Sequence, residues 1–529
     1  MKVGIRVFSV LVSVGISVAA QAVDLSSPPI PLEDSVQVFK DAPAPWREYL
    51  IKVRAAERIA DPLQRCLAFP DLPGNHWPAG HAAAHCRFHA QNDVPAVSLD
   101  VIAGYLTRRD TTVLHAKLDV YLKKHDAKGG FGEEIHRIFE QFGSDDRSDD
   151  ISLQWLQQAP DDAYANLARG SYLLNKAWQE RGKEYVANTS ASNLENMQAL
   201  VDRAVPLLQK AARLNPPLTP AYIELMQAAM LVGRDDLAEA SFTAAQKLSP
   251  ACMSLVKQRM LALRPQWGGS YEQIDAYMRE LVPYLKEHPG IALYFSMPYD
   301  DRAMAFEGGE FYKSDAAALL DKAVDVGSYD DALRNAGDVA LNRGDAPPDN
   351  WRGFGLLLQE ARFRDGNAWA DKMIAWRLLR KEPEWALRYL VRAEKLEPSD
   401  SELQYMLGAA YYNAHQYAKA QRHYTVAIDD PKQRQASLRE LSAMWLHDAD
   451  LTRKQQAIKA KPFVDRLQAE YPHDGRGWIY RFDYQGRLGQ SISKEQLEKF
   501  LVVADRADPA QAEAIAAVES ALGKNPVKK

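Results

Sequence analysis

An all-α fold of stacked helix pairs is predicted by three observations. A spacing of small and large residues recurs, as Ala238, Phe242, Ala245 and Pro250, as Ala386, Leu390, Ala393 and Pro398, and as Ala420, Tyr424 and Ala427 with Pro431 one residue early. The stops keep step with it: Pro216 and Pro250 lie 34 residues apart, Pro398 and Pro431 lie 33 apart. A period near 34 belongs to helix–turn–helix arrays, in which each pair buries its apolar face against the next. The period-two alternation of a half-buried strand is almost absent from the chain.

The elements follow in order. Lys2 and Arg6, the apolar run Val7–Ala20 and the triplet Ala20-Gln21-Ala22 predict a processing segment over 1–22, cleaved between Ala22 and Val23. The run is too short to span a bilayer and no cysteine follows the cut, so the mature chain is expected to be unanchored and periplasmic or secreted. Pro28, Pro29, Pro31, Pro43 and Pro45 predict an extended arm over 23–45. Leu50, Val53, Ala56 and Ile59 predict one helix from Trp46 to Arg65. A Pro-, Gly- and Asn-rich loop over 69–78 follows, then helices over 81–91, from Val97, and through Leu114, Leu118 and Leu122.

Gly129-Gly130-Phe131-Gly132 breaks the chain before a helix ending near Phe142. The acidic stretch 143–150 reads as a connector and a domain boundary. It would divide a helical N-terminal region over 46–148 from a helical domain over 151–300, degenerate repeats over 301–366 and regular repeats over 367–522. Pro160, Pro216, Pro250, Pro289, Pro398, Pro431, Pro472 and Pro509 are expected near helix ends, because proline cannot continue a helix. Helical pieces are expected at 315–326 and 329–342, and a frayed basic tail at 523–529.

With 47% hydrophobic residues in 529, the chain can bury a large core. A net charge of -5 and a pI near 6.2 give no concentrated basic face for nucleic acid. No stretch after the processing segment is apolar enough to cross a membrane. In an oxidising compartment Cys66 and Cys86 are expected to pair, closing a loop worth about 3 kcal/mol. The leftover Cys252 reads as a small buried side chain.

Residues 401–434 resemble the tetratricopeptide repeat: Leu407, Gly408 and Tyr411 match its first helix, and Ala420, Tyr424 and Ala427 its second. Gln404 departs from the usual aromatic. A second unit at 219–252 carries Tyr222, Leu225, Ala238, Phe242, Ala245 and Pro250, with Met226 and Ala229 off pattern. The segments Tyr164–Gly170, Ala177–Gly182 and Arg264–Ser270 resemble the bacterial "domain of unknown function 4034" family, over roughly 150–300. That resemblance implies a bacterial source and a helical fold, and no activity. The tetratricopeptide resemblance implies a protein or peptide partner on the surface made by the first helices, here Glu402, Tyr405, Tyr412 and Asn413.

Two further sets are candidate sites. Arg169, Trp178, Arg181, Arg264 and Trp267 could read a carboxylate through stacked guanidinium groups, or plug a helix junction. His81, His85 and His89 fall on one helix face, where two could share a metal ion completed by Cys66, Cys86 or His76. Read structurally, they form a solvent-facing stripe beside the disulfide. Gly129–Gly132 lacks the Lys-Ser/Thr of a phosphate loop, Glu133-x-x-His136 is a single pair where a di-iron bundle needs two, and no Gly-x-Ser-x-Gly elbow occurs. The expectation is an exported adaptor or scaffold, without catalysis or cofactor. A metal-dependent protein or enzyme using the histidine stripe, and an inhibitor or immunity protein that neutralises a toxin, are the alternatives.

Overall fold

Twenty-six α-helices and no strand make up the described residues. The computed structural model describes residues 39–92, 95–125, 133–183, 186–364 and 366–523. The processing segment, its cleavage site, most of the arm, the Gly129–Gly132 break and the tail from 524 lie outside the described residues. The helices are α1 Ala44–Ala56, α2 Pro62–Ala68, α3 His81–Asn92, α4 Leu99–Thr107, α5 Thr111–His125, α6 Glu134–Glu140, α7 Asp146–Gln158, α8 Ala163–Arg181 and α9 Ala191–Leu214. Then come α10 Thr219–Val232, α11 Asp235–Leu248, α12 Met253–Ala262, α13 Tyr271–Leu281, α14 Met297–Met304, α15 Ser314–Val326, α16 Asp330–Leu341 and α17 Asn350–Phe363. The last are α18 Ala368–Leu378, α19 Pro383–Leu396, α20 Ser401–Asn413, α21 Tyr417–Ala427, α22 Pro431–Leu446, α23 Arg453–Glu470, α24 Gly475–Arg487, α25 Lys494–Val503 and α26 Pro509–Ala521.

Consecutive helices pack as antiparallel partners, α8 with α9, α10 with α11, α16 with α17, α18 with α19, α20 with α21 and α22 with α23. The repeat positions explain the pairing. Leu407, Gly408, Tyr411, Ala420, Tyr424 and Ala427 are all buried. A Cβ at Gly408 would stand 2.6 Å from the Tyr424 ring, so the glycine sets how closely α20 and α21 cross. Helix starts are fixed by side-chain chemistry: Asp400, Asp430, Asp474 and Asp508 each accept from first-turn N–H groups of α20, α22, α24 and α26. Each also bonds a residue of an earlier helix. Lys372 donates to Asp400, Ser401 to Asp430, Arg439 to Asp474 at 2.6 Å and Arg476 to Asp508 at 2.9 Å. One aspartate thus caps its own helix and ties it to the preceding first helix.

Three expectations change. The single helix from Trp46 to Arg65 is two, because Pro62 occupies the first turn of α2 and Asp61 caps it. The acidic connector is the start of α7, capped by Asp145, and one hydrophobic cluster runs across it from Val97 to Leu237. Pro431 and Pro509 open helices α22 and α26, and Pro206 and Pro462 lie inside α9 and α23.

The N-terminal segment 39–92 packs against helices far along the chain, in one core with residues 303–484. Helix α17 touches both α1 and α3, and α3 touches the 3-10 turn Pro289–Phe295. Arg54 forms a bidentate pair with Glu382 at 2.6 and 3.0 Å, both side chains 0% exposed. The Tyr49 hydroxyl donates to Gly355 O at 3.1 Å, Arg388 to Glu57 O at 2.6 Å, and Arg362 to Cys66 O at 2.9 Å. The segment acts as a strap, and the disulfide between Cys66 and Cys86 joins its helices α2 and α3. No helix among the described residues is long and apolar enough to cross a membrane.

Candidate functional site

Helix α3 carries its three histidines inward. His81 and His85 are each 1% exposed and His89 is half-buried, so the solvent-facing stripe gives way to a packed face. Burial is imposed by the turn 326–330. Gly327 approaches so closely that a Cβ there would meet Ala292 O at 2.1 Å, and this places Ser328 under the imidazoles. His85 also stacks on Phe363 at 4.0 Å, and Trp77 meets His81 edge-on at 5.4 Å.

The hydrogen bonds assign the tautomers in sequence. Nδ1 of His81 faces Pro289 O at 2.9 Å, a group that only accepts, so this nitrogen carries the proton. Burial pushes His81 down to about 4, so it is neutral and its Nε2 accepts from the Ser328 hydroxyl at 2.7 Å. The Ser328 oxygen then accepts from His85 Nδ1 at 2.8 Å. The His85 Nε2 lone pair is therefore aimed at His89 Nε2, 2.9 Å away, and at the Asp330 carboxylate, 3.6 Å away. His89 Nε2 lies 3.6 Å from the other Asp330 oxygen. Burial lifts the Asp330 carboxyl to about 7 and Glu360 nearby to about 8.

Asp330 and His89 open onto a cavity of about 680 Å³, walled also by Glu133, Glu140, Lys257 and Tyr294. At its Glu133 edge, Glu133 accepts from Met253 N at 2.9 Å and from Ser254 N and Oγ at 3.2 and 2.6 Å, at the start of α12. Burial acts to raise this carboxyl, but the imidazoles of His136 and His125 and the bonds from Ser254 and Met253 bring it below its usual value. Cys252 lies 3.6 Å from His136 Nε2 and 3.7 Å from Glu133. Burial and the Glu133 charge push its thiol well up, and burial lowers His136 to about 3. Glu133 holds the helix N-terminus that would otherwise favour a thiolate, so Cys252 is not poised as a nucleophile. His125, His136 and Cys252 nonetheless have ligand atoms within 4.8 Å of one another.

The other predicted residues fall in separate places. Cys66 and Cys86 are bonded to each other, and His76 is exposed and pairs with Asp325, so none of them joins His85 and His89. Trp178 and Trp267 meet edge-on at 5.8 Å with Arg181 over both rings. Arg169 instead pairs with Asp149 and Arg264 with Asp301, so the five do not share one pocket. Tyr405 and Tyr412 are half-buried on α20, against Tyr424 and Tyr417 at 5.6 and 5.8 Å. Asn413 donates to Leu379 O at 3.0 Å, and Glu402 is exposed beside Lys372. Sequence reasoning missed Ser328 and Asp330, which follow α3 by some 240 residues and belong to no local motif.

No protein-family model matches the chain, and no curated protein does. Solved helical-repeat structures align with it. Yeast Tom70 does so at 13% identity over 80% of this chain and 96% of its own, with a TM-score of 0.29. The P58(IPK) TPR domain aligns at 13% identity over 72% and 96%, with a TM-score of 0.22. The Cut9-Hcn1 hetero-tetramer of the APC/C aligns at 12% identity over 92% and 96%, with a TM-score of 0.28. At these scores the alignments bear no weight, and the helix-pair fold rests on the packing described above.

Proposed function

We propose that this chain is an exported, periplasmic helical-repeat adaptor that holds a segment of a partner protein along the first helices of its regular repeats. The observation that carries the reading is a row of half-buried tyrosines. Tyr405 and Tyr412 on α20 and Tyr480 on α24 all feel the Glu440 carboxylate of α22, with Arg439 and Arg476 nearby. Tyrosine offers a large apolar face and a polar tip at low conformational cost, which suits recognition of an extended segment. Export is supported by the disulfide and by the processing segment read at 1–22. Membership of the bacterial unknown-function family over 150–300 belongs to the same reading and rests on the three matched segments.

Site-specific photocrosslinking in the native cell envelope tests it. A crosslinking residue at Tyr405 or Tyr412 is expected to capture one defined partner. The same residue at Val426, 48% exposed on the second helix α21, captures none. Equal yields from all three positions, or no adduct from Tyr405 and Tyr412, would refute the adaptor reading. N-terminal sequencing of the mature protein checks the cut at Val23.

A further inference from the structure

The chemistry of α3 points away from the repeats. Ligands about 2.0–2.1 Å from one tetrahedral ion stand roughly 3.4 Å apart. The nitrogens of His85 and His89 and the Asp330 carboxylate stand 2.9, 3.6 and 3.6 Å apart. The His85 lone pair is already directed by the chain through Ser328 and His81 to Pro289 O, an outer layer of the kind that orients a metal-binding imidazole. The Oδ1 of Asp330 is buried and accepts no hydrogen bond from any described residue. The 680 Å³ cavity supplies a route from solvent to His89 and Asp330.

We propose that His85, His89 and Asp330 form a binding site for a divalent first-row transition ion, with its open coordination positions facing the cavity. Two imidazoles and one carboxylate suit Zn²⁺ or Fe²⁺, whereas Ca²⁺ and Mg²⁺ favour an all-oxygen shell. Three protein ligands leave room for water or a small polar ligand, the arrangement of a catalytic rather than a structural metal site. Without metal, the His89 Nε2–H donates to His85 Nε2. With metal, His89 shifts its proton to Nδ1, and both Nε2 lone pairs and the carboxylate turn to the ion. The site is independent of the adaptor reading, because neither Tyr405 nor Tyr412 contributes to it.

The test uses the full mature protein with its disulfide intact, stripped with chelator and titrated with CoCl₂ and then ZnCl₂. About one equivalent of Co²⁺ is expected to give visible d–d bands without intense thiolate charge transfer, and Zn²⁺ to displace it. His89→Ala and Asp330→Asn are expected to weaken binding by at least about 100-fold, and Ser328→Ala by about 10- to 100-fold. His76→Ala leaves it unchanged. His89 is half-buried, so His89→Ala is the variant expected to fold, and circular dichroism checks that it does; it decides the matter even if Asp330→Asn does not fold. The proposal is overturned if the wild type shows no saturable uptake or if His89→Ala binds with the same Kd. It is equally overturned if a thiolate band appears and survives in His89→Ala, which would move the ion to Cys252 with His125 and His136.

Discussion

The strap over 39–92 and the repeats over 367–522 are both helical, yet they are held in opposite ways. In the repeats the contacts are short in sequence: α20 packs on α21, and each capping aspartate reaches back one first helix. In the strap they are long: Arg54 meets Glu382, Tyr49 meets Gly355, and His81 meets Ser328. The repeats pair their buried carboxylates Asp371 and Asp474 with arginines that still reach solvent, Arg392 and Arg439. The strap buries an ion pair and two histidines, and the turn that meets it carries a partly buried carboxylate. Buried ionisable groups are costly, and they concentrate where chemistry is done. The regular array serves as a frame, and the strap with its facing turn is the region built around a site.

The sharpest way to break this contrast is at Glu382. Glu382→Ala leaves Arg54 charged and buried, and is expected to destabilise the protein by about 3–5 kcal/mol in urea unfolding. A change under 1 kcal/mol would mean that the strap is not held by its buried pair. Next comes the disulfide. Cys66→Ser with Cys86→Ser is expected to cost about 3 kcal/mol, the chain-entropy value for a loop of this length. Fluorescence of Trp77, which donates to Val324 O, reports whether the strap itself loosens.

The third prediction concerns pH. Burial lifts the Asp300 carboxyl in α14 from 3.8 to about 6, with Asn335 donating to it at 2.8 Å. Between those values the folded state binds more protons than the unfolded one. The contribution of this carboxyl to stability is therefore fullest below about pH 4 and falls as pH rises through 6, by at most about 3 kcal/mol. Asp300→Asn is expected to be the more stable protein at pH 7 and equal to the wild type near pH 4. Urea midpoints at the two pH values check the sign. The smallest effect belongs to the repeats: Arg476→Ala removes an exposed tie to Asp508 and is expected to cost no more than about 1 kcal/mol.

What was legible in the sequence follows the same division. Leu407, Gly408, Tyr411, Ala420, Tyr424 and Ala427 could be placed in the core because their spacing encodes one local pairing. The pairing of Cys66 with Cys86 was legible for a similar reason, with few cysteines and a short loop. The burial of His81 and His85 was not, because an imidazole on a helix is inside or outside according to what covers it. Here the cover is Ser328 and Asp330, brought in by a close backbone approach at Gly327. Helix α1 was drawn too long because apolar spacing continued past Ala56, while Asp61 and Pro62 had already set a new start.

The aspartate ties give the array a direction of unzipping. Along the chain the bonded cations become more exposed, from 11% at Lys372 to 33% at Arg439 and 43% at Arg476. Each aspartate also starts its helix, so losing a tie frays the neighbour it belongs to. Fraying should begin at α26 and travel inward past the Ser401 tie of α22, and the cations met on the way, Arg476, Arg439 and Lys372, are successively better shielded. Pulled or proteolysed, the array would be taken apart repeat by repeat from its C-terminal end, and the strap, anchored at Glu382, would be reached last.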